Sequence, residues 1–455
     1  MNKVSKRAWV VLAVAFLILG ALAAFVGLYF IKARDWVSFP GSPHLYSGVN
    51  PSTGVVTDRN GVMLVDATQE RVYTDDAALK KSILHLVGDR YGYIEAPLLG
   101  EYTDKMIAYN PVTGIYSTSE GACSIRLTLS ASAQKTALEA LGGMRGTVGV
   151  YNYETGEVLC AVSSPNYDPD NVPDIENDTS GAYEGVYVNR FTRATYTPGS
   201  IFKVVTTTAA LETVPDIRSQ TFTCEGSVII GGEQINCTGT HGTQTLSQAL
   251  SNSCNCAFAQ IALQVGAETL QSYAERAGIT DSLAFDGITT ASGNFDVADA
   301  SQPSLAWAGI GQYTDLVNPC QYMTYMGMIA NGGEAAVPYL MDEITSGERT
   351  RYEAETQRLE LDIEPATAQE IADMMRDNVV TSYGAWLFPD VRVCAKSGTA
   401  ETVEGKASNA MFAGFIQDSQ YPLAFIVIVE EGGYGSQTAA PIAGQVLAAC
   451  IADMN

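Results

Sequence analysis

The sequence predicts an α+β chain: an antiparallel sheet assembled from both ends of one large domain and flanked by helices, with a helical region inserted between its two halves. Three observations predict it. Strand-like apolar runs fall at 146–163 and again at 396–402, 410–417 and 423–430. Between these two groups, apolar segments of helical length dominate, and 439–454 is rich in small residues and reads as a helix able to close the sheet. No internal repeat or low-complexity tract interrupts this pattern.

Taken in order, the chain begins with an uncharged apolar run at 9–31, longer than the roughly 20 helical residues that a bilayer core requires. Lys3, Lys6 and Arg7 precede the run, and no small-residue cleavage site follows it, so residues 1–35 are expected to be a cytoplasmic tail and a retained single-pass anchor. Lys32 and Arg34 on the far side weaken the charge-bias argument, and the orientation rests partly on the acidic remainder. Residues 36–120 read as a small β-rich pedestal or linker, with turn clusters at 40–43 and 110–114. Residues 121–455 are long enough for one large domain with a substantial core. Within it, 146–163 reads as a hairpin turned at Glu154-Thr155-Gly156.

From Trp36 onward the chain carries 21 basic and 49 acidic residues, a net charge of −28. Such a surface repels nucleic acid and excludes that class of partner; its plain reading is solubility. Nine cysteines in 455 residues are too dilute for a disulfide scaffold, and the odd number leaves one thiol over. Cys224 and Cys237 flank a strand-and-turn segment, 228–232, which makes them the one plausible disulfide pair. Cys254 and Cys256 lie two apart on an expected helix and face different directions, which argues against a shared metal and for small buried residues. The histidines are His44, His85 and His241. His241 reads as a loop residue, so neither a Ser-His-Asp triad nor a zinc site is expected.

The chemistry is carried by three short motifs. Ser200-Ile201-Phe202-Lys203 follows Tyr196-Thr197-Pro198-Gly199, where Pro and Gly end one segment and an apolar stretch of helical length begins at 201. Ser200 then falls in the first turn, near the positive end of the helix dipole, with Lys203 on the same face. A serine hydroxyl is a weak nucleophile, but a lysine held neutral by burial can take its proton as the oxygen attacks a carbonyl. Alone, S-x-x-K is more often an N-cap serine followed by a solvated lysine. Two further motifs change that balance: Ser253-Cys254-Asn255 (S-x-N) at the edge of an apolar helical run, and Lys396-Ser397-Gly398-Thr399 within a strand-like run at 393–400. These three, in this order, are the motifs of penicillin-binding proteins and serine β-lactamases.

On these residues the chain resembles the class B penicillin-binding proteins, the monofunctional transpeptidases of bacterial cell-wall synthesis, from about residue 55 to the C-terminus. Thr57-Asp58-Arg59-Asn60-Gly61 resembles the element that opens the extracytoplasmic part of these enzymes, and Leu127-Thr128-Leu129 resembles the strand entering the catalytic domain. The strands at 146–150 and 155–159, the segment 164–169, Gly311-Gln312 and Asn318-Pro319 also fall where the family has counterparts. Tyr313, Asn318 and Ser397 depart from the pattern, standing where Gly, Thr and Thr are usual, and none of these is one of the three catalytic positions.

The resemblance implies a penicillin-binding transpeptidase fold and a set of roles. Ser200 would be the nucleophile, Lys203 its base, and Ser253 a proton relay to the leaving amine. Asn255 would hold the substrate amide, with helix capping as the alternative reading of Ser253 and Asn255. Lys396 would attract a terminal carboxylate, to which Ser397 and Thr399 offer hydroxyls, while Gly398 leaves room for substrate along the strand edge. The oxyanion hole would be the backbone N–H groups of Ser200 and Thr399. The implied substrates are peptidoglycan stem peptides, β-lactams the inhibitors, and a membrane glycosyltransferase the partner, with no metal or cofactor. The alternatives are a class D-like β-lactamase or β-lactam sensor, which shares the motifs, and a catalytically silent wall-binding scaffold.

Overall fold

The computed structural model describes residues 2–37, 54–68, 71–106, 123–359, 363–401 and 405–455. The turn clusters expected at 40–43 and 110–114 lie outside the described residues. At the N-terminus, the helix Asn2–Val37 contains the segment Lys3–Lys32, which includes an 18-residue stretch of mean hydropathy 2.8 and is long and apolar enough to cross a membrane.

The main sheet has five antiparallel strands in the order Val393–Ala400, Asn409–Ile416, Leu423–Val429, Gly146–Asn152, Val158–Ser164. Both ends of the domain therefore meet in one sheet, as expected, with the C-terminal Leu423–Val429 paired to the N-terminal Gly146–Asn152. The strands are buried on both faces, and period two sorts their side chains. Met411, Ala413, Phe415, Ala424, Ile426 and Ile428 face one core, while Phe412, Phe425 and Val427 face another. The second core is closed by the helices Ala131–Leu141 and Gly435–Met454; the latter packs Ala439, Ala443, Val446, Leu447 and Cys450 inward, its alanines letting it lie close to the sheet. The helices Lys203–Thr213, Asn255–Val265 and Pro319–Ala330 fill the first core.

A second, six-stranded sheet joins the segment before residue 120 to the large domain. Its order is Arg349–Glu353, Met341–Ser346, Cys123–Leu127, Val55–Thr57, Met63–Asp66, Val72–Tyr73, with Val55–Thr57 parallel to Cys123–Leu127. Asp58 ties these parts together. Its carboxylate is buried and accepts N–H bonds from Asn60 at 2.9 Å, Val62 at 2.8 Å and Ala131 at 3.0 Å, the last at the start of the helix Ala131–Leu141.

Two features position the site. Val393–Ala400 is an edge strand, so one side of its backbone ladder is open. The helices Lys203–Thr213 and Asn255–Val265 begin near that edge: the Gly199–Phe202 turn before the first packs against it, and Ser253 before the second bonds Lys396 on it.

Candidate active site

Ser200 is the second residue of a 3-10 turn, Gly199–Phe202, which leads directly into the helix Lys203–Thr213. The residue capping the turn is Pro198, without a side-chain bond, so the Ser200 hydroxyl does not serve as a cap. Gly199 holds φ +52°, and a Cβ there would stand 2.7 Å from the Thr399 carbonyl oxygen. Its N–H donates to the Gly311 carbonyl at 2.9 Å. Only glycine allows the turn to approach the edge strand this closely. Phe202 stacks on Phe295, and the Tyr322 hydroxyl donates to the Ile201 carbonyl at 2.7 Å, which anchors the turn from below.

Ser253 and Asn255 sit where the short helix Leu246–Ser251 ends and Asn255–Val265 begins. Ser253 adopts φ +51°, a left-handed conformation that non-glycine residues rarely take. The helix is capped by Cys254, whose sulfur accepts from the Ala257 N–H at 3.4 Å, so capping occupies neither Ser253 nor Asn255. The third motif lies on the edge strand: Lys396 and Gly398 are buried, while Ser397 and Thr399 are partly open. A Cβ at Gly398 would stand 3.0 Å from both the Pro198 carbonyl oxygen and the Ile201 side chain.

All three motifs converge. Lys203 Nζ is fully buried and lies 2.9 Å from Ser200 Oγ, 2.7 Å from the Ser253 carbonyl oxygen, 2.8 Å from Asn255 Oδ1 and 3.3 Å from Ser253 Oγ. Asn255 Nδ2 donates to the Asn236 carbonyl at 3.0 Å, which fixes Oδ1 as the atom facing the lysine. Lys396 Nζ donates to Ser253 Oγ and to the Ser397 carbonyl, each at 2.9 Å. Ser253 Oγ thus sits between two buried amines. Burial, and secondly the Lys396 cation, hold Lys203 well below the ordinary lysine value, while burial brings Lys396 to about 7. Two like charges in one desolvated pocket are costly, so the pair favours a single cation.

Tyr383 gave no sequence signal. It ends a π-helical turn, Val379–Tyr383, and its hydroxyl lies 3.1 Å from both the Ser397 N–H and Ser397 Oγ, bracing the third motif from behind.

The cysteines depart from expectation. Cys224 and Cys237 do come together, but no disulfide joins them, and all nine thiols are free. Instead Cys224, Cys237, His241 and Cys254 bring their donor atoms within 4.8 Å of one another. Cys254 is the N-cap rather than an interior helical residue, so the argument from two-residue helical spacing does not apply to it, and His241, expected as a plain loop residue, lies within the cluster. Cys237 Sγ lies 3.8 Å from Cys254 Sγ, and this contact draws the Cys237 thiol far below its usual value while it holds the Cys254 thiol up.

Residues 146–448 match the family model of the penicillin binding protein transpeptidase domain. Peptidoglycan D,D-transpeptidase PbpA of Mycolicibacterium smegmatis is 27% identical over 362 residues, 72% of each chain. Stage V sporulation protein D of Bacillus subtilis is 26% identical over 314 residues, 65% of this chain and 47% of that protein. Among solved structures, the ceftriaxone acyl-enzyme complex of penicillin-binding protein A from M. tuberculosis superposes with a TM-score of 0.76 at 22% identity, covering 89% of this chain and 99% of that one. The D,D-transpeptidase domain from Eggerthella lenta gives 0.76 at 24% identity, over 88% and 98%. With the model spanning most of the large domain and all three motifs gathered in one cleft, the chain belongs to the penicillin binding protein transpeptidase family.

Proposed function

We propose that the chain is a peptidoglycan D,D-transpeptidase that cross-links stem peptides through an acyl intermediate on Ser200. The observation that carries this reading is the hydrogen-bond count at Lys203. A neutral amine has two N–H donors and one lone pair. The Ser253 carbonyl and Asn255 Oδ1 can only accept, and at 2.7 and 2.8 Å they take both donors. The lone pair is left for the Ser200 hydroxyl, 2.9 Å away, which then donates to Nζ. That is the arrangement of a nucleophile hydrogen-bonded to its base.

Ser200 Oγ attacks the carbonyl of the penultimate D-alanine as Lys203 takes its proton, and the N–H groups of Ser200 and Thr399 bind the oxyanion. Collapse breaks the amide bond. The proton passes from Lys203 through Ser253 to the departing D-alanine amine, leaving an acyl-serine. An acceptor amine from a neighbouring strand then attacks this ester, gives up its proton along the same path in reverse, and restores the Ser200 hydroxyl. Asn255 orients the donor amide. The Lys396 cation, with Ser397 and Thr399, holds the terminal carboxylate beside the open edge of Val393–Ala400.

In this reading residues 1–35 anchor the chain in a membrane, 36–120 raise the catalytic part above it, and 121–455 carry out the chemistry on the extracytoplasmic side. The acidic surface beyond the anchor supports that orientation. A transpeptidase needs newly polymerised glycan, so a membrane glycosyltransferase is the partner we assign. The test is labelled penicillin applied to the full chain in detergent, with peptide mapping by mass spectrometry. The adduct is expected on Ser200 and absent in Ser200→Ala; a label that maps elsewhere overturns the assignment.

A further inference from the structure

We infer that Cys224, Cys237, His241 and Cys254 form a structural Zn2+ site that braces the S-x-N segment. The four residues come from four turns. Cys224 ends the strand Phe222–Cys224, Cys237 follows the strand Glu233–Asn236, His241 precedes the strand Gly242–Gln244, and Cys254 caps the helix Asn255–Val265. The spacing is C-x12-C-x3-H-x12-C, two small hairpins folded back on the motif.

The distances select a metal over the alternatives. Tetrahedral zinc with Zn–S of about 2.3 Å and Zn–N of about 2.0–2.1 Å requires S···S separations of about 3.8 Å and S···N separations of about 3.5 Å. Cys237 Sγ lies 3.8 Å from Cys254 Sγ, and His241 Nδ1 lies 3.5 Å from both Cys224 Sγ and Cys237 Sγ. A disulfide would need about 2.05 Å. Cys224 and Cys254 are fully buried, and Cys237 and His241 are partly open, which gives an ion a way in. A set of three thiolates and one imidazole with no open position is that of a structural zinc rather than a catalytic one. Binding displaces to solvent whatever protons the thiols still carry and leaves the filled site, three thiolates and a neutral imidazole around Zn2+, with one net negative charge.

The consequence lies in Cys254, which stands between Ser253 and Asn255. The Asn255 N–H already points at Cys237 Sγ, 3.3 Å away, and Asn255 Nδ2 holds the Asn236 carbonyl. Zinc at Cys254 therefore fixes the backbone that presents both motif side chains.

The test uses the full chain, purified in detergent without chelators. Elemental analysis should find about one zinc per chain, and X-ray absorption at the zinc edge should show a shell of three sulfurs and one nitrogen. Cobalt substitution should give the strong visible bands and thiolate charge-transfer absorption of a tetrahedral site. These signals should be lost in Cys237→Ser and His241→Ala and kept in His241→Cys. Removing the zinc should speed hydrogen exchange in peptides spanning 250–258, and readmitting it should restore protection. A metal-free chain whose intact mass and peptide map show a Cys224–Cys237 disulfide overturns the proposal, as does an oxygen-dominated zinc shell. The absorption measurements on the unmutated chain decide the matter even if a variant fails to fold. Exchange at 250–258 that ignores the metal overturns the bracing role.

Discussion

Replacing Lys203 with Met removes the amine while keeping most of the volume of a fully buried side chain. A positioned general base contributes roughly 10²–10⁴-fold, or about 3–5 kcal/mol of barrier, so the acylation rate constant toward a fluorescent penicillin should fall by that factor. Stability responds differently. The Ser253 carbonyl and Asn255 Oδ1 lose their donor, at about 1–3 kcal/mol each if no water replaces it. Against that, a buried amine no longer needs desolvating, so a cooperative melt should survive and separate lost chemistry from lost fold. Lys203→Arg puts a permanent cation at this position but no base, because guanidinium does not deprotonate in the working range. In the unmutated chain, acylation should rise with pH as Lys203 gives up its proton, well below the pH at which an exposed lysine would. The specificity constant should then fall as Lys396 discharges near pH 7 and stops attracting carboxylate. Near-normal acylation by Lys203→Arg, or an acid limb at the ordinary lysine value, would refute the neutral-base argument.

Two further outcomes are expected. The adduct on Ser200 should persist, because among the described residues no carboxylate hydrogen-bonds Lys203 or Lys396 to activate a water; a chromogenic β-lactam in excess should give one stoichiometric burst, and sustained turnover would favour a β-lactamase. Gly199→Ala would force alanine into a left-handed conformation at about 1–2 kcal/mol and press its Cβ on the Thr399 carbonyl, so acylation should drop at least about tenfold with the fold retained; an unchanged rate would mean that the turn and the edge strand need not touch.

Much of this site was legible in the sequence because its chemistry is written in short spacings. Ser200 and Lys203 are one helical turn apart, and Lys396 to Thr399 follow one another on a strand, so local periodicity places them. The main sheet was legible for the same reason: its strands are continuous apolar runs with clear turns between them. What was not legible depends on distant pairings. The strands Met341–Ser346 and Arg349–Glu353 join Cys123–Leu127 through a register that no local pattern encodes, so the second sheet draws on the large domain as well as on the expected pedestal. Tyr383 reaches Ser397 only because a π-helical turn re-aims it. The Cys and His ligands are separated by 12, 3 and 12 residues, far from the paired C-x-x-C spacing that marks many zinc sites, and only the folding of the two hairpins gathers them.

The three motifs do not share the same mechanical footing. Ser200 and Lys203 ride on a turn locked into a buried helix, and Lys396 to Thr399 lie on a strand hydrogen-bonded along its length. Ser253 alone sits in a connection between helices, in a backbone conformation that costs of order 1–3 kcal/mol and persists only where its surroundings enforce it. Within the cleft the enforcing contacts come from Lys203, whose proton moves during the reaction, and from Lys396, which discharges near pH 7. Backbone bonds from the Ser253 N–H to the Leu250 carbonyl at 3.1 Å and from the Cys254 N–H to the Ala249 carbonyl at 2.9 Å tie the segment to the preceding helix, but the side-chain partners of Ser253 shift whenever they titrate. The thiolate and imidazole cluster on the far side of Ser253 supplies a hold that does not depend on the proton in flight, which is why a structural metal belongs at Cys254 rather than elsewhere in the domain.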